Sequence, residues 1–224
     1  MITHVNPKSP ASEAYRVLRT NIQFSSADTE IKLLMVTSAG PGEGKSTTVS
    51  NLAVTYAQAD EKVLIIDADL RKPTMHRTFH VSNRKGLSNI LTNQAKYSEA
   101  ISSSEIPNLD LITSGPIPPN PAELLSSKRM RDLLEELKKH YSKIIIDTPP
   151  ILALTDAQII STLCDGVILV LDSGKVKKEI ALRAKESLEK VNAKILGVVL
   201  NNVSAKDNDG YYYYYYQYYG KTED

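Results

Sequence analysis

The sequence has one cysteine in 224 residues, Cys164, which excludes an internal disulfide and a cysteine-based zinc site. Flanked by Leu163 and a strand pattern, it reads as a small buried apolar residue. Four scattered histidines offer that thiol no Cys/His pairing, and no Ser/His/Asp spacing competes. Charge of either sign is not in excess: 27 Lys and Arg face 26 Asp and Glu, so there is no strong positive field for nucleic acid. No apolar run approaches the roughly 18 residues that a membrane-spanning helix requires. The longest, such as 167–171, are strand-sized. The opening MITHVNPKSP has neither a charged leader nor an apolar signal core, so the expectation is a cytoplasmic protein. Tryptophan is absent and there are only two phenylalanines, which leaves the core to aliphatic side chains.

What the chain does have is a regular alternation. Short apolar runs at 32–38, 62–67, 109–113, 143–147, 166–171 and 194–201 predict strands buried on both faces. Helical periodicity fills the spaces between them: 46–59, a broken region at 74–104, then 126–140, 156–163 and 177–191. A leading helix is expected before the first strand, with Ser9 as its N-cap and Pro10 at its first position. Six parallel strands joined by helices give a doubly wound, mostly parallel α/β sheet with helices on both faces. After the last strand the periodicity stops. Asp207, Asn208, Asp209 and Gly210 form turns, and residues 203–224 are expected to be a mobile tail on a domain of residues 1–202. Of twelve tyrosines, eight lie in that tail: Tyr211, Tyr212, Tyr213, Tyr214, Tyr215, Tyr216, Tyr218 and Tyr219.

Between the first strand and the first long helix stands SAGPGEGKSTT. It matches the phosphate-binding Walker A pattern at Gly44, Lys45 and Ser46, with Ala39 in place of the first glycine. Gly40, Gly42 and Gly44 still allow a tight backbone path that aims successive N–H groups at phosphate oxygens, Glu43 included, with the helix dipole behind them. ATP would then meet Lys45 at its β- and γ-phosphates and Thr47 at its α-phosphate, and Ser46 would bind Mg²⁺. The fold is therefore expected to be of the P-loop NTPase type.

Acids gather on the same side. Asp67 and Asp69 end the second strand, with Arg71 just beyond, and Asp147 ends the fourth. In an open α/β sheet, ligands collect outside the carboxyl ends of the strands. An ATPase needs one such acid for its metal, and Asp147 fits that role. The extra pair exceeds the requirement: if one holds metal, the other is free to take a proton from an attacking hydroxyl. A base-recognition role for Asn201, which ends the last strand, rests on position alone.

Taken together, these motifs closely resemble the bacterial protein-tyrosine kinases, or BY-kinases, in the split form whose cytoplasmic kinase is separate from its transmembrane adaptor. The resemblance is carried by 39–46, a second Walker segment at 63–71, the acid-ended strand at 144–147, the spaced Glu13, Arg16 and Arg19, the loop SGPIPPNPAELL at 114–125, and the tyrosine tail. It implies that Lys45 serves phosphate binding and catalysis, that Ser46, Asp69 and Asp147 hold Mg²⁺, and that Asp67 and Asp69 share metal and base functions, with Asp67 favoured as base. It also implies a homo-oligomeric ring, an octamer, with Glu13, Arg16 and Arg19 at the subunit interface instead of forming a merely solvated stripe. The tail tyrosines would be phosphorylated in trans within that ring.

The remaining partners implied are an adaptor of the polysaccharide co-polymerase type that recruits the kinase to the inner face of the membrane, further protein substrates, and a phosphatase, all serving capsular or exopolysaccharide synthesis. The rival reading is a nucleotide-switched ATPase of the cell-division and partition type. That class carries a signature lysine where this chain has Gly40.

Overall fold

The structure, a computed structural model, describes residues 1–25 and 30–203. The chain begins with α1 (Ile2–Val5), α2 (Pro10–Phe24), β1 (Leu33–Ser38), α3 (Lys45–Ala57), β2 (Val63–Asp67), α4 (Met75–Thr78), α5 (Leu87–Leu91) and α6 (Tyr97–Ala100). It continues through β3 (Ile101–Ser103), β4 (Leu109–Ile112), α7 (Pro121–Ser126), α8 (Lys128–Leu137), β5 (Lys143–Asp147), α9 (Asp156–Ser161), β6 (Gly166–Asp172), α10 (Lys178–Glu189) and β7 (Ile195–Asn201). The tyrosine cluster and the expected tail lie outside the described residues, apart from Val203.

The strands form one sheet in the order β3-β4-β2-β5-β1-β6-β7, parallel except for the β3–β4 pair. All six expected strands are present, but among the described residues the sheet has seven. β3 lies within the stretch expected to be broken helix. Its three residues, ISS, are too few and too polar to show a period of two, and one hydrogen-bonded neighbour is enough to hold an edge strand. The helix expected over 126–140 is α8, shorter at both ends, and a further short helix, α7, lies just before it within the stretch expected to be a loop. Ser127 sits in extended backbone and its hydroxyl accepts from the Met130 amide, so it caps α8 and ends α7. Ser9 caps α2 as expected, accepting from the Ser12 amide, with Pro10 in the first turn.

β1, β2, β5 and β6 are buried at every residue. Alternate side chains feed two separate cores: Leu33 and Met35 pack with α8, α9 and α10, whereas Leu34 and Val36 pack with α2 and α3. β7 departs from the expected two-faced burial. With β6 as its one partner among the described residues, it leaves Val198 53% and Leu200 60% exposed. Cys164 packs against the first core, and burial pushes its thiol well above the usual range, as suits an inert apolar side chain. This arrangement brings the carboxyl ends of β1, β2 and β5 side by side, with Asp67 and Asp147 paired in register.

Candidate active site at the strand tips

The loop between β1 and α3 is shaped by glycines and braced by side chains. Gly42 and Gly44 have φ of +78° and +94°, the left-handed region that glycine adopts at low cost. Ser38 donates to the Gly40 carbonyl at 2.7 Å, and the Gly40 amide donates to Glu43 Oε1 at 2.5 Å. Asn201 Nδ2 donates to the Glu43 carbonyl at 3.0 Å from the end of β7. Glu43, expected among the nucleotide contacts, therefore turns its own carboxylate into the loop. Burial pushes that carboxyl up, against the pull of the Gly40 and Ala39 amides and with a further push from Asp172. α3 has no side-chain cap, so the amides of its first turn are free to bind an anionic ligand.

Asn201 sets a limit on Gly44. A Cβ built at position 44 would lie 2.0 Å from Asn201 Nδ2. Asn201→Ala, which removes one neutral hydrogen bond from the loop, is expected to weaken Mg²⁺-ATP binding about two- to tenfold by titration calorimetry, with the fold intact.

Below the loop, four of the expected residues converge. Lys45 Nζ lies 3.4 Å from Asp69 Oδ2, 3.5 Å from Asp147 Oδ1 and 3.1 Å from Ser46 Oγ. Ser46 donates to Asp147 Oδ2 at 2.7 Å. Asp67, fully buried beside them, is held differently. Its Oδ1 accepts from the Asp69 amide at 3.2 Å, and its Oδ2 accepts from the amides of Thr74 and Met75 at 3.1 and 3.0 Å. Asp69 is fixed in turn through Oδ1 by the amides of Arg71 and Lys72, and Arg71 grips the buried Asp156 of α9 through two bonds of 2.9 and 3.1 Å.

The electrostatics separate the acids. Burial, reinforced by the Asp147 carboxylate and only partly offset by the Met75 amide, raises Asp67 from 3.8 to about 7. Asp147 is also raised by burial, with Lys45 and Ser46 pulling the other way. Burial alone would lower the Lys45 ammonium, but Asp147 and Asp69 outweigh it and leave Lys45 above its usual value. Among the described residues, Asp69 and Asp147 thus share the Lys45 ammonium, and the hydrogen bonds to Asp67 come from backbone amides.

The donor set suits Mg²⁺. Ser46, Asp69 and Asp147 present hard oxygen atoms around one ammonium. Among the described residues, no group of three or more His, Cys, Asp or Glu forms a ready cage. A small set of protein oxygens, completed by phosphate and water, is how Mg²⁺ is usually bound.

The other expected residues are spread elsewhere. On α2, Glu13 and Arg16 pair at 2.8 Å on the surface, and Arg16 also bonds the Pro7 carbonyl. Arg19 turns to the Thr55 carbonyl of α3. Asn201, Thr74 and the Arg71–Asp156 clamp had no structural role assigned from sequence. Their contacts join residues 158, 7 and 85 positions apart, and local spacing signals only the second.

An AAA domain family matches residues 31–194. Tyrosine-protein kinase YwqD of Bacillus subtilis (strain 168) is 51% identical over 220 residues, spanning 98% of this chain and 91% of that protein. Putative tyrosine-protein kinase CapB of Staphylococcus aureus is 46% identical over 99% of this chain and 95% of its own. The crystal structure of the chimerical protein CapA2B2 superposes with a TM-score of 0.88 at 47% identity, covering 90% of this chain and 89% of that one. The phosphate loop, the doubled acid strand tips and these likenesses along nearly its whole length place the chain in the bacterial tyrosine-protein kinase family, built on a P-loop AAA domain.

Proposed function

We propose that the chain transfers the γ-phosphoryl group of ATP to tyrosine hydroxyls, first those of its own C-terminal cluster, in trans between copies held in a ring through α2. The observation that carries this reading is Asp67. A buried acid poised near 7, paired with no cation among the described residues and adjacent to a Lys45–Ser46–Asp147 phosphate and metal site, exceeds what ATP hydrolysis needs. A phenol with an ordinary pKa of about 10 is a poor nucleophile at neutral pH, and a neighbouring base is what it lacks.

In this reaction Asp67 receives the phenolic proton as the phenol oxygen bonds to the γ-phosphorus. The bond from that phosphorus to the β,γ-bridging oxygen breaks, and ADP departs with the electron pair. Lys45 meets the charge that develops on the phosphate oxygens, and the amides at the start of α3 orient the remaining phosphates. Ser46, Asp69 and Asp147 would hold Mg²⁺, which supplies charge neutralisation when bound. Asp69, drawn to Lys45 and pinned by two amides, is suited to metal and not to proton transfer.

Among the described residues no helix is long and apolar enough to cross a membrane, and recruitment to the membrane is assigned to a transmembrane adaptor of polysaccharide assembly. Each phosphate adds about −1.5 to −2 charges to a tail, so heavy modification crowds a ring with like charge and favours its dissociation. The test is to incubate the full chain with Mg²⁺-ATP and the adaptor's cytoplasmic segment, then probe for phosphotyrosine. Deleting 211–219 is expected to remove the internal acceptor and to leave phosphorylation of an added tyrosyl peptide. A chain that hydrolyses ATP and labels no tyrosine, with the adaptor segment present, would refute the reading.

A further inference from the structure

The short helix α1 is unexpected from sequence, yet it is firmly placed. The backbone N–H and hydroxyl of Thr3 both donate to Asn51 Oδ1 on α3, at 3.1 and 2.9 Å, and Gln58 donates to the Thr3 carbonyl. Ser12 of α2 donates to the Asn6 carbonyl at 2.7 Å and so ties the turn between the two helices. The N-terminal segment thereby becomes one wall of a cavity of about 490 Å³, lined by Ile2, Ala11 and Tyr15 on one side and by Ser46, Thr74 and Thr78 on the other. That volume lies within the range typical of ligand pockets, about 300 to 1,000 Å³.

Two residues that line this cavity are bonded to the buried acids. Ser46, which lines it, donates to Asp147 at 2.7 Å, and the amide of Thr74, which also lines it, donates to Asp67 Oδ2 at 3.1 Å. Thr74 Oγ1 is buried without a hydrogen-bond partner among the described residues. An apolar wall that includes an aromatic ring, with an unpaired hydroxyl one residue contact away from the base, suits a ligand that is itself an aromatic ring ending in a hydroxyl.

The geometry points to this cavity as the acceptor subsite, in which the tyrosine ring of an incoming peptide lies between α2 and α4 with its hydroxyl passing Thr74 to reach Asp67. The inference rests on the kinase reading and adds the place where the acceptor binds. It also gives the leading helix a part in the chemistry: α2 forms a wall of the subsite as well as carrying Glu13, Arg16 and Arg19. The ring stacks on Tyr15 and packs on Ile2, and Thr74 Oγ1 bonds the phenol oxygen and positions it.

The experiment uses the full chain with its eight tail tyrosines changed to serine, with Mg²⁺-ATP and the adaptor's cytoplasmic segment, given a synthetic peptide of residues 207–219 as acceptor. Ala11 and Thr78 are exposed at opposite rims, so Ala11→Trp and Thr78→Trp fill the cavity from either side without disturbing the core. Each is expected to raise the peptide KM at least tenfold, with kcat at saturating peptide and the Kd for Mg²⁺-ATP changed less than twofold. Thr74→Val is expected to raise the peptide KM, and Thr74→Ser to restore it, which a purely structural role for the side chain would not produce. Light scattering on each variant confirms that assembly is unchanged. If the parent phosphorylates the peptide and neither tryptophan alters its KM, the subsite is overturned and the kinase reading stands. If the parent, with the adaptor segment present, labels neither this peptide nor any other tyrosyl peptide, the kinase reading falls and the subsite with it; labelling of other tyrosyl peptides but not this one overturns the subsite alone.

Discussion

Asp67→Asn is expected to reduce tyrosine phosphorylation at least a hundredfold while leaving Mg²⁺-ATP binding within a fewfold of the parent. The size follows from the usual contribution of a positioned general base, about 10² to 10⁴ in rate. Binding survives because Asp67 is held by the amides of Asp69, Thr74 and Met75 and touches neither Lys45 nor Ser46. The same substitution has a thermodynamic signature. A carboxyl whose pKa rises from 3.8 to about 7 on folding binds its proton more tightly in the folded chain, so its contribution to stability falls as pH rises between those values. In chelator and without nucleotide, the stability of Asp67→Asn relative to the parent should therefore increase by at least ~1 kcal/mol between about pH 5 and pH 8, read by urea unfolding. A stability difference that stays flat with pH would mean that Asp67 is ionised like an ordinary surface acid.

Lys45→Met is expected to have the larger effect on ATP. Lys45 is the ammonium between Asp69 and Asp147, with Asp67 close behind them. Methionine would leave three acids without that cation in the place where a triphosphate must sit. Losing both the attraction and its neutralising effect should lower kcat/KM at least a thousandfold, more than a single oxyanion donor is usually worth. Lys45→Arg should rescue little, because the planar fork cannot occupy a position fitted to a compact ammonium at 3.4 and 3.5 Å from two carboxylates. Calorimetry with Mg²⁺-ATP and a phosphotyrosine assay, run on both variants, check the two parts separately.

The sequence made the strand tips legible because the chemistry there is written locally. The glycines and lysine of the loop are contiguous, and Asp67 and Asp147 end apolar runs that can be little else but parallel strands. Chain order and the crossover rule then bring those ends together. What it did not show depends on contacts made across the fold. Asn201 reaches Glu43 from the far edge of the sheet, and Arg71 meets Asp156 across from α9. The division of labour between Asp67 and Asp69 is also invisible in the string DAD, since it depends on which carboxylate faces Lys45 and which faces the amides of α4. β3 and α7 were missed for a different reason: an edge strand of three residues and a helix of six are shorter than the windows in which such periods are read.

The most direct measurement is mass spectrometry of the C-terminal peptide after the full chain has been incubated with Mg²⁺-ATP and the adaptor's cytoplasmic segment, with Asp67→Asn treated alongside. The parent peptide should carry phosphate on several tyrosines, and the variant's should be unmodified although the variant still binds nucleotide. Equal modification of the two would mean that the phenol loses its proton without Asp67, and that the second acid pair has some purpose other than activating an acceptor.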